Sequence, residues 1–284
     1  MDSVVRTIYS AHLQTAKSLK RPFTILPNST LNQKFNLFAS EVPGLNEYPV
    51  LGYLGIGNKG ATYDVTTSGF VLTTPQPHLP RHASLYNFIP FVIRDVANDL
   101  NSTERLKYRL RVPVTIGGNQ YVAYYLRALS IDDIIPAVEL RNVNDGMITT
   151  NSFSPALSDL SPTPPDLSNV DLNNPNGDYL VSTAKVTFTL NQQDINEILT
   201  ACDLLFGDAR YAVVNEIALV HGVDKIVQGT FGNTVSNYTD LICAQVAAFL
   251  SQYHALTANT TQVQIELDIG SVEPLLINDS VVVP

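Results

Sequence analysis

The clearest periodicity in the chain lies between Asn191 and Gly207. Ile195, Ile198, Leu199, Cys202, Leu205 and Phe206 recur at helical spacing, Asn191 with Asp194 forms a capping-box pair, and Gly207 follows as a stop. Just before it, Val186, Phe188 and Leu190 alternate with Lys185, Thr187 and Thr189, the pattern of a half-buried strand. Val263, Ile265, Leu267 and Ile269 alternate in the same way with Gln264, Glu266 and Asp268. Between these two strands lie two more apolar stretches. Val213, Val214, Ile217, Ala218 and Val220 run from Asp208 to a stop at Gly222, and Leu241, Ile242, Gln245, Val246, Phe249 and Leu250 form a stripe within 238–253. Both stretches read as helices. The second half therefore predicts β-α-α-α-β, with the two strands paired and the helices on one face.

The first half reads as β-rich. Arg109–Ile116 and Gln120–Leu129 are joined by Gly117-Gly118-Asn119, a hairpin signal, and Pro113 places the first of them at a sheet edge. Asn101 with Glu104 predicts a capped helical turn just upstream. Val4, Ile8, Ala11 and Leu19 predict a short amphipathic helix over 3–19, after which 22–48 lacks a period and reads as an extended arm. Tyr48 to Leu72 mixes short apolar runs with Gly52, Gly55, Gly57, Gly60 and Gly69, as strands and loops do. Leu85, Phe88, Ile89, Val92 and Ile93 fall at helical spacing interrupted by Pro90. Pro155, Pro162, Pro164, Pro165 and Pro175 mark 150–178 as a linker or long loop.

The expectation is an α+β protein with a β-rich N-terminal part carrying a hairpin and a C-terminal part with two paired strands and about three helices. Its parts would be an N-terminal helix and arm (1–47), a β-rich domain (48–149), the Pro-rich segment (150–178), an α+β domain (179–277) and a tail (278–284).

Composition narrows the function classes. Of 284 residues only 15% are charged, against roughly 25% in ordinary domains, so much of the surface is neutral. The net charge of −9 argues against a nucleic-acid partner. It is unevenly placed. Residues 1–142 carry 14 Lys+Arg and 10 Asp+Glu, and residues 143–284 carry 3 and 16. Arg105, Lys107, Arg109 and Arg111 alternate with Leu106, Tyr108, Leu110 and Val112, which puts four cations on one face if the stretch is extended. Two readings are open for this strip, a solvated strand face or a docking surface for an acidic neighbour. Cys202 and Cys243 lie in apolar helical patterns and read as buried, reduced thiols. The first residues lack the order of a signal peptide and no apolar run approaches the length of a membrane span, so folding in a cytosol without membrane contact is expected.

Candidate chemistry is sparse. Gly55-x-Gly57-x-x-Gly60 matches the dinucleotide fingerprint as a string, but no helical face follows it, and a tight turn is expected instead. His78 and His82 are four apart with Pro80 between them, which disfavours a helical metal pair. No Gly-x-Ser-x-Gly elbow occurs, Asp132 and Asp133 have no evident partner site, and Glu266 with Asp268 should face outward. Glu216 and Gln245 fall beside apolar stripes and, if buried, must find hydrogen-bond partners. No catalytic, cofactor or metal site is expected, and the chain reads as non-enzymatic.

Three strings carry a resemblance. Gly52-Tyr-Leu-Gly-Ile-Gly-Asn-Lys-Gly60, Pro80-Arg-His-Ala-Ser-Leu-Tyr-Asn-Phe-Ile-Pro-Phe-Val-Ile-Arg94 and Asn98-Asp-Leu-Asn-Ser-Thr-Glu-Arg-Leu-Lys-Tyr-Arg-Leu-Arg111 resemble a family of virion structural proteins of contractile-tailed bacteriophages. Tyr211, Glu216-Ile217, Gly222-Val223-Asp224, Tyr238, Gln245 and Glu273-Pro274 extend the likeness over about residues 40–276, without the Pro-rich segment. The resemblance implies a tail or baseplate protein bridging neighbouring subunits, self-associating in a symmetric assembly with other virion proteins as partners. A neck or head–tail connector is the alternative within that class, and a particle-associated hydrolase or carbohydrate-binding protein the alternative outside it.

Overall fold

The computed structural model describes residues 3–65, 67, 71–144, 147–163, 177–231 and 234–274. Along the chain run β1 (Ser3–Arg6), α1 (Ile8–Ser18), α2 (Leu31–Lys34), β2 (Val50–Gly57), β3 (Ala61–Val65), β4 (Val71–Pro75), β5 (Phe88–Ile89), β6 (Val92–Asp95), α3 (Ser102–Arg105), β7 (Tyr108–Ile116) and β8 (Asn119–Ala128). There follow β9 (Ala137–Asn144), β10 (Met147–Ser152), β11 (Gly177–Asn191), α4 (Gln192–Phe206), β12 (Val213–Val214), β13 (Glu216–Phe231), β14 (Thr234–Ser251), β15 (His254–Ala255) and β16 (Gln262–Pro274). The protein is α+β, with strand dominating in both halves.

Two compact units are present. The first comprises residues 1–129 and 189–264, the second 130–188 and 265–284. This differs from the expected division at 150–178. Residues 164–176, which hold Pro164, Pro165 and Pro175, lie outside the described residues, as does the expected tail at 278–284.

The first unit is built on an antiparallel sheet in the order β1-β14-β13-β2-β8-β6, with β5 paired to β2 and β7 to β8. The β7–β8 hairpin forms as expected. Gly117 and Gly118 take φ of 57° and 86°, a pair of left-handed residues that only glycine adopts without strain and that suits the twist of a two-residue turn. Among the described ladders β7 pairs with β8 alone, so Pro113 sits on an edge strand as its missing N–H requires.

Helix α4 also forms as expected. The Asn191 side chain accepts from Asp194 N, the Asp194 carboxylate accepts from Asn191 N, and Gly207 ends the helix at φ 73°. Its buried face, Ile195, Ile198, Ala201 and Cys202, lies toward β5 and β6. Each isoleucine so buried stabilises the fold by about 1.5–3 kcal/mol. Leu110, Leu126, Ala218, Val220, Leu241, Val246 and Phe249 build the sheet side of the same core, with Leu31 from α2.

Four expectations are corrected. The two further helices of the second half are the strands β13 and β14, so one helix replaces three. Leu241, Ile242, Ala244, Val246, Ala247, Phe249 and Leu250 are all buried, which is the signature of a central strand covered on both faces. The helix at 3–19 is a strand followed by an eleven-residue helix capped by Thr7. Phe88–Ile89 and Val92–Asp95 are short strands, because Pro90 breaks the helical run.

The fourth correction concerns the N-terminal helix and arm, which are docked onto the chain itself. β1 pairs with β14, Thr7 Oγ1 donates to Val246 O (2.6 Å), and Asn32 spans Leu241 O (2.8 Å) and Ala244 N (2.7 Å). The β13–β14 ladder shifts register on either side of Val220–His221, and Cys243 takes φ 56° at this irregularity. Asn32 occupies the backbone groups of the bulged stretch.

The second unit is a four-stranded sheet in the order β10-β9-β11-β16. The two alternating strands of the sequence do pair here, as β11 and β16, with Val181, Ile265 and Leu267 buried. Their companions are β9 and β10, not helices.

Candidate functional site

The densest polar cluster of the first unit centres on Glu216, at the start of β13 and fully buried. Its Oε1 accepts from Lys59 N (3.1 Å) and Asn87 N (2.9 Å), and its Oε2 accepts from Tyr86 N (2.9 Å) and faces His78 Nε2 at 3.1 Å. Neighbouring Asn215 accepts from Gly60 N (2.7 Å) and donates to Asn58 O (3.3 Å). One carboxylate and one amide thus join two loops to the central sheet.

The glycine string owes its form to this junction. A Cβ on Gly57 would stand 2.5 Å from Asn87 O and 2.6 Å from Glu216 Oε1, and one on Gly60 would stand 2.6 Å from Asn215 O. The backbone must come this close to deliver its N–H groups. The expected turn is confined to 58–60, since Gly55 and Gly57 lie on β2, and the N–H of Lys59 meets a carboxylate of the chain itself in place of a phosphate.

His78 lies flat between two rings, 3.8 Å from Phe249 and 4.4 Å from Tyr86. Its Nε2 faces Glu216, and its Nδ1 stands 3.3 Å from His82 Nδ1, which also receives Leu79 N–H at 3.2 Å. A neutral His82 that accepts from Leu79 carries its proton on Nε2. Burial, then the charges of His78 and Arg81, hold the His82 imidazole below its ordinary range. Both nitrogens of His78 are directed at protein partners. Among the described residues no group of three or more His, Cys, Asp or Glu is placed to hold a metal ion.

The second cluster overturns both readings of the cationic strip. Arg105, Arg109 and Arg111 are buried and turned inward, and only Lys107 is exposed. Arg109 forms a fork on Asp224, Nε to Oδ1 at 2.7 Å and Nη2 to Oδ2 at 2.8 Å, with Tyr53 OH on the same carboxylate at 2.7 Å. Arg111 Nε meets Asp99 Oδ2 at 2.9 Å, and Asp99 Oδ1 accepts from Tyr124 OH (2.8 Å) and Leu100 N (2.7 Å). Arg105 is drawn to Leu100 O and to Asp99, and both it and Arg111 lie about 5.8 and 5.7 Å from the Tyr238 ring centre. The physical reason is twofold. Residues 102–105 are helical, so the strip is not one continuous strand, and the β13–β14 hairpin supplies the acidic partners Asp224 and Asp240.

Burial alone would raise the Asp224 carboxyl, but the hydrogen bonds from Arg109 and Tyr53 and the Arg109 charge bring it below its ordinary value. Asp240 goes the other way. It is 1% exposed, and burial pushes its carboxyl up against the pull of Leu110 N (2.6 Å), Arg111 N (3.2 Å) and Leu241 N (2.8 Å). Leu110 takes φ 58°, which belongs with this close approach of consecutive N–H groups to a carboxylate.

The remaining candidates are structural in their placement. Gln245 is buried on β14, where its Nε2 donates to Ser29 Oγ at 2.7 Å, so it lies on a strand and not on a helix stripe. Cys202 and Cys243 are free, buried thiols pushed up to about 12 by burial, the second on a strand. Glu266 and Asp268 face outward on β16, and Asp268 meets Arg141 at 2.8 Å. Asp132 and Asp133 are exposed. Sequence reasoning missed Asp99 and Asp240. A signal existed for the latter, since Asp240 is the only charged residue between Ile226 and Ser251.

Residues 1–283 match the family of unknown function DUF7208, and the chain belongs to that family. No curated protein and no solved structure matches it. No described helix is long and apolar enough to cross a membrane.

Proposed function

We propose that this chain is a structural subunit of a contractile-tailed bacteriophage particle, a tail or baseplate protein that bridges its neighbours. The observation that carries the reading is how the carboxylates of the first unit are used, of which Glu216 and Asp240 are buried, Asp99 has its side chain covered and Asp224 stays partly open. Glu216, Asp99, Asp224 and Asp240 each accept at least three hydrogen bonds from the chain itself. A general acid or base needs a proton-exchanging position open to substrate. These carboxylates hold loops and strands together, and the carboxyl held above its ordinary range, Asp240, is sealed from solvent.

The outer surface supports the same reading. The β13–β14 ribbon continues past the end of β2 at its Val50–Gly222 pair, carrying Ile226 and Val235 in solvent and no charged residue from 226 to 239. Apolar side chains presented this way suit a surface that neighbours cover. The particular particle comes from the resemblance of the strings at 52–60, 80–94 and 98–111. Quantitative mass spectrometry of purified particles tests it. Stoichiometric copies of the chain are expected, and its absence from particles while it is abundant in the infected lysate overturns the reading.

A further inference from the structure

We propose that β10 is a self-association edge, where Met147–Ser152 pairs antiparallel with the same strand of a second copy about a two-fold axis. β10 ends the second unit's sheet, all six of its residues are exposed, and its register with β9 runs unbroken from Met147↔Asn144 to Ser152↔Glu139.

The hydrogen-bond parity of this strand is fixed. Phe153 N donates to Val138 O at 3.1 Å, continuing the ladder, so Met147, Thr149 and Asn151 turn their backbone groups toward β9. Ile148, Thr150 and Ser152 therefore direct N–H and C=O groups to the open side. Natural edge strands are blunted by lysine, proline or a bulge, and β10 carries none of these. Met147 and Ile148 add exposed apolar surface.

Charge selects the occupant. From Met147 to Leu157 there is no charged residue, so two copies meet here without opposing charges. The other end of the same sheet, β16, carries Glu266, Asp268 and Glu273, and pairing it with itself would bring carboxylates together. A foreign partner chosen by electrostatics finds no handle on β10, whereas its own copy matches it in length, neutrality and donor spacing. A two-fold axis normal to the sheet requires residues of equal parity to oppose each other. The axis therefore passes through Thr150, with Ile148 opposite Ser152, or through Thr149, with Ile148 opposite Thr150. Both arrangements join two four-stranded sheets into one continuous sheet and set a threonine against its own copy on the axis, a favourable cross-strand pair.

This names a partner for the assembly reading above but rests on the strand alone, and it is tested on purified full-length protein so that either can fail without the other. Sedimentation velocity over a concentration series should show a monomer–dimer equilibrium. Thr150→Pro removes an outward N–H while leaving the β9 ladder intact, and should abolish the dimer with unchanged circular dichroism. Thr150→Asp keeps every backbone donor, sets a carboxylate against its own copy when the axis passes through Thr150 or against Ile148 when it passes through Thr149, and should abolish the dimer too, which covers a proline variant that fails to fold. Thr149→Cys or Thr150→Cys should oxidise to a covalent dimer. A wild-type protein that stays monomeric with neither cysteine cross-linking, or a dimer that persists in Thr150→Asp, overturns the proposal.

Discussion

His78 Nε2 stands 3.1 Å from Glu216 Oε2, and both side chains are almost wholly buried, at 1% and 0% exposure. The pair closes a junction in which the same carboxylate holds the backbone of Lys59, Tyr86 and Asn87. Glu216→Ala leaves four donors without their acceptor inside the fold. Its cost is expected to be about 3–5 kcal/mol, read from urea denaturation. A loss under about 1 kcal/mol would mean that the loops are held by other contacts.

Gly57→Ala tests the close approach at the end of β2. The added methyl meets backbone as well as the carboxylate, so a loss of about 1–3 kcal/mol is expected, seen as a lowered Tm. Since the N–H groups of Lys59 and Gly60 are already bonded to Glu216 and Asn215, a dinucleotide at millimolar concentration should leave the wild-type Tm unmoved. A clear upward shift with the nucleotide would show that the turn binds phosphate after all.

The corrected strip separates its four cations. Lys107→Gln should change stability by less than about 0.5 kcal/mol, whereas Arg109→Gln breaks the fork on Asp224 and should cost about 1.5–3 kcal/mol. Chemical denaturation of the two variants side by side decides. Equal effects would return the strip to the surface.

Asp224 and Asp240 should shape acid stability in opposite senses. The folded Asp224 carboxyl lies below its unfolded value, so its contribution is complete above about pH 4 and is lost as pH falls through the folded value. Asp240 is held above its unfolded value, so its ionisation opposes folding as pH rises through the folded value. The stability gap between wild type and Asp224→Asn should be widest near neutrality and close in acid. A gap independent of pH would remove the ion pair from the account.

How much of this was legible depends on where the determining contacts lie. The α4 caps at Asn191, Asp194 and Gly207 and the Gly117-Gly118 turn were readable because local chemistry sets them. β13 and β14 were read as helices because apolar residues at i, i+3 and i+4 also occur by default in a strand buried on both faces. The β-branched content of 217–227 was the contrary signal. The arginine strip was opaque for another reason. Alternation of Arg with Leu or Tyr looks the same whether the cations meet water or carboxylates, and Asp224 and Asp240 lie more than a hundred residues away from their partners. That Glu216 would need hydrogen-bond partners if buried was readable, but it was placed beside a helix stripe and not on a strand, and its bond to His78 joins positions that no spacing rule connects.

The central claim is a structural place in the particle, and an amber mutation early in this gene tests it most directly. In a non-suppressing host, electron microscopy should show particles stalled in tail or baseplate assembly, restored when the chain is supplied in trans. Complete, infectious particles of normal composition made without the chain would contradict the account.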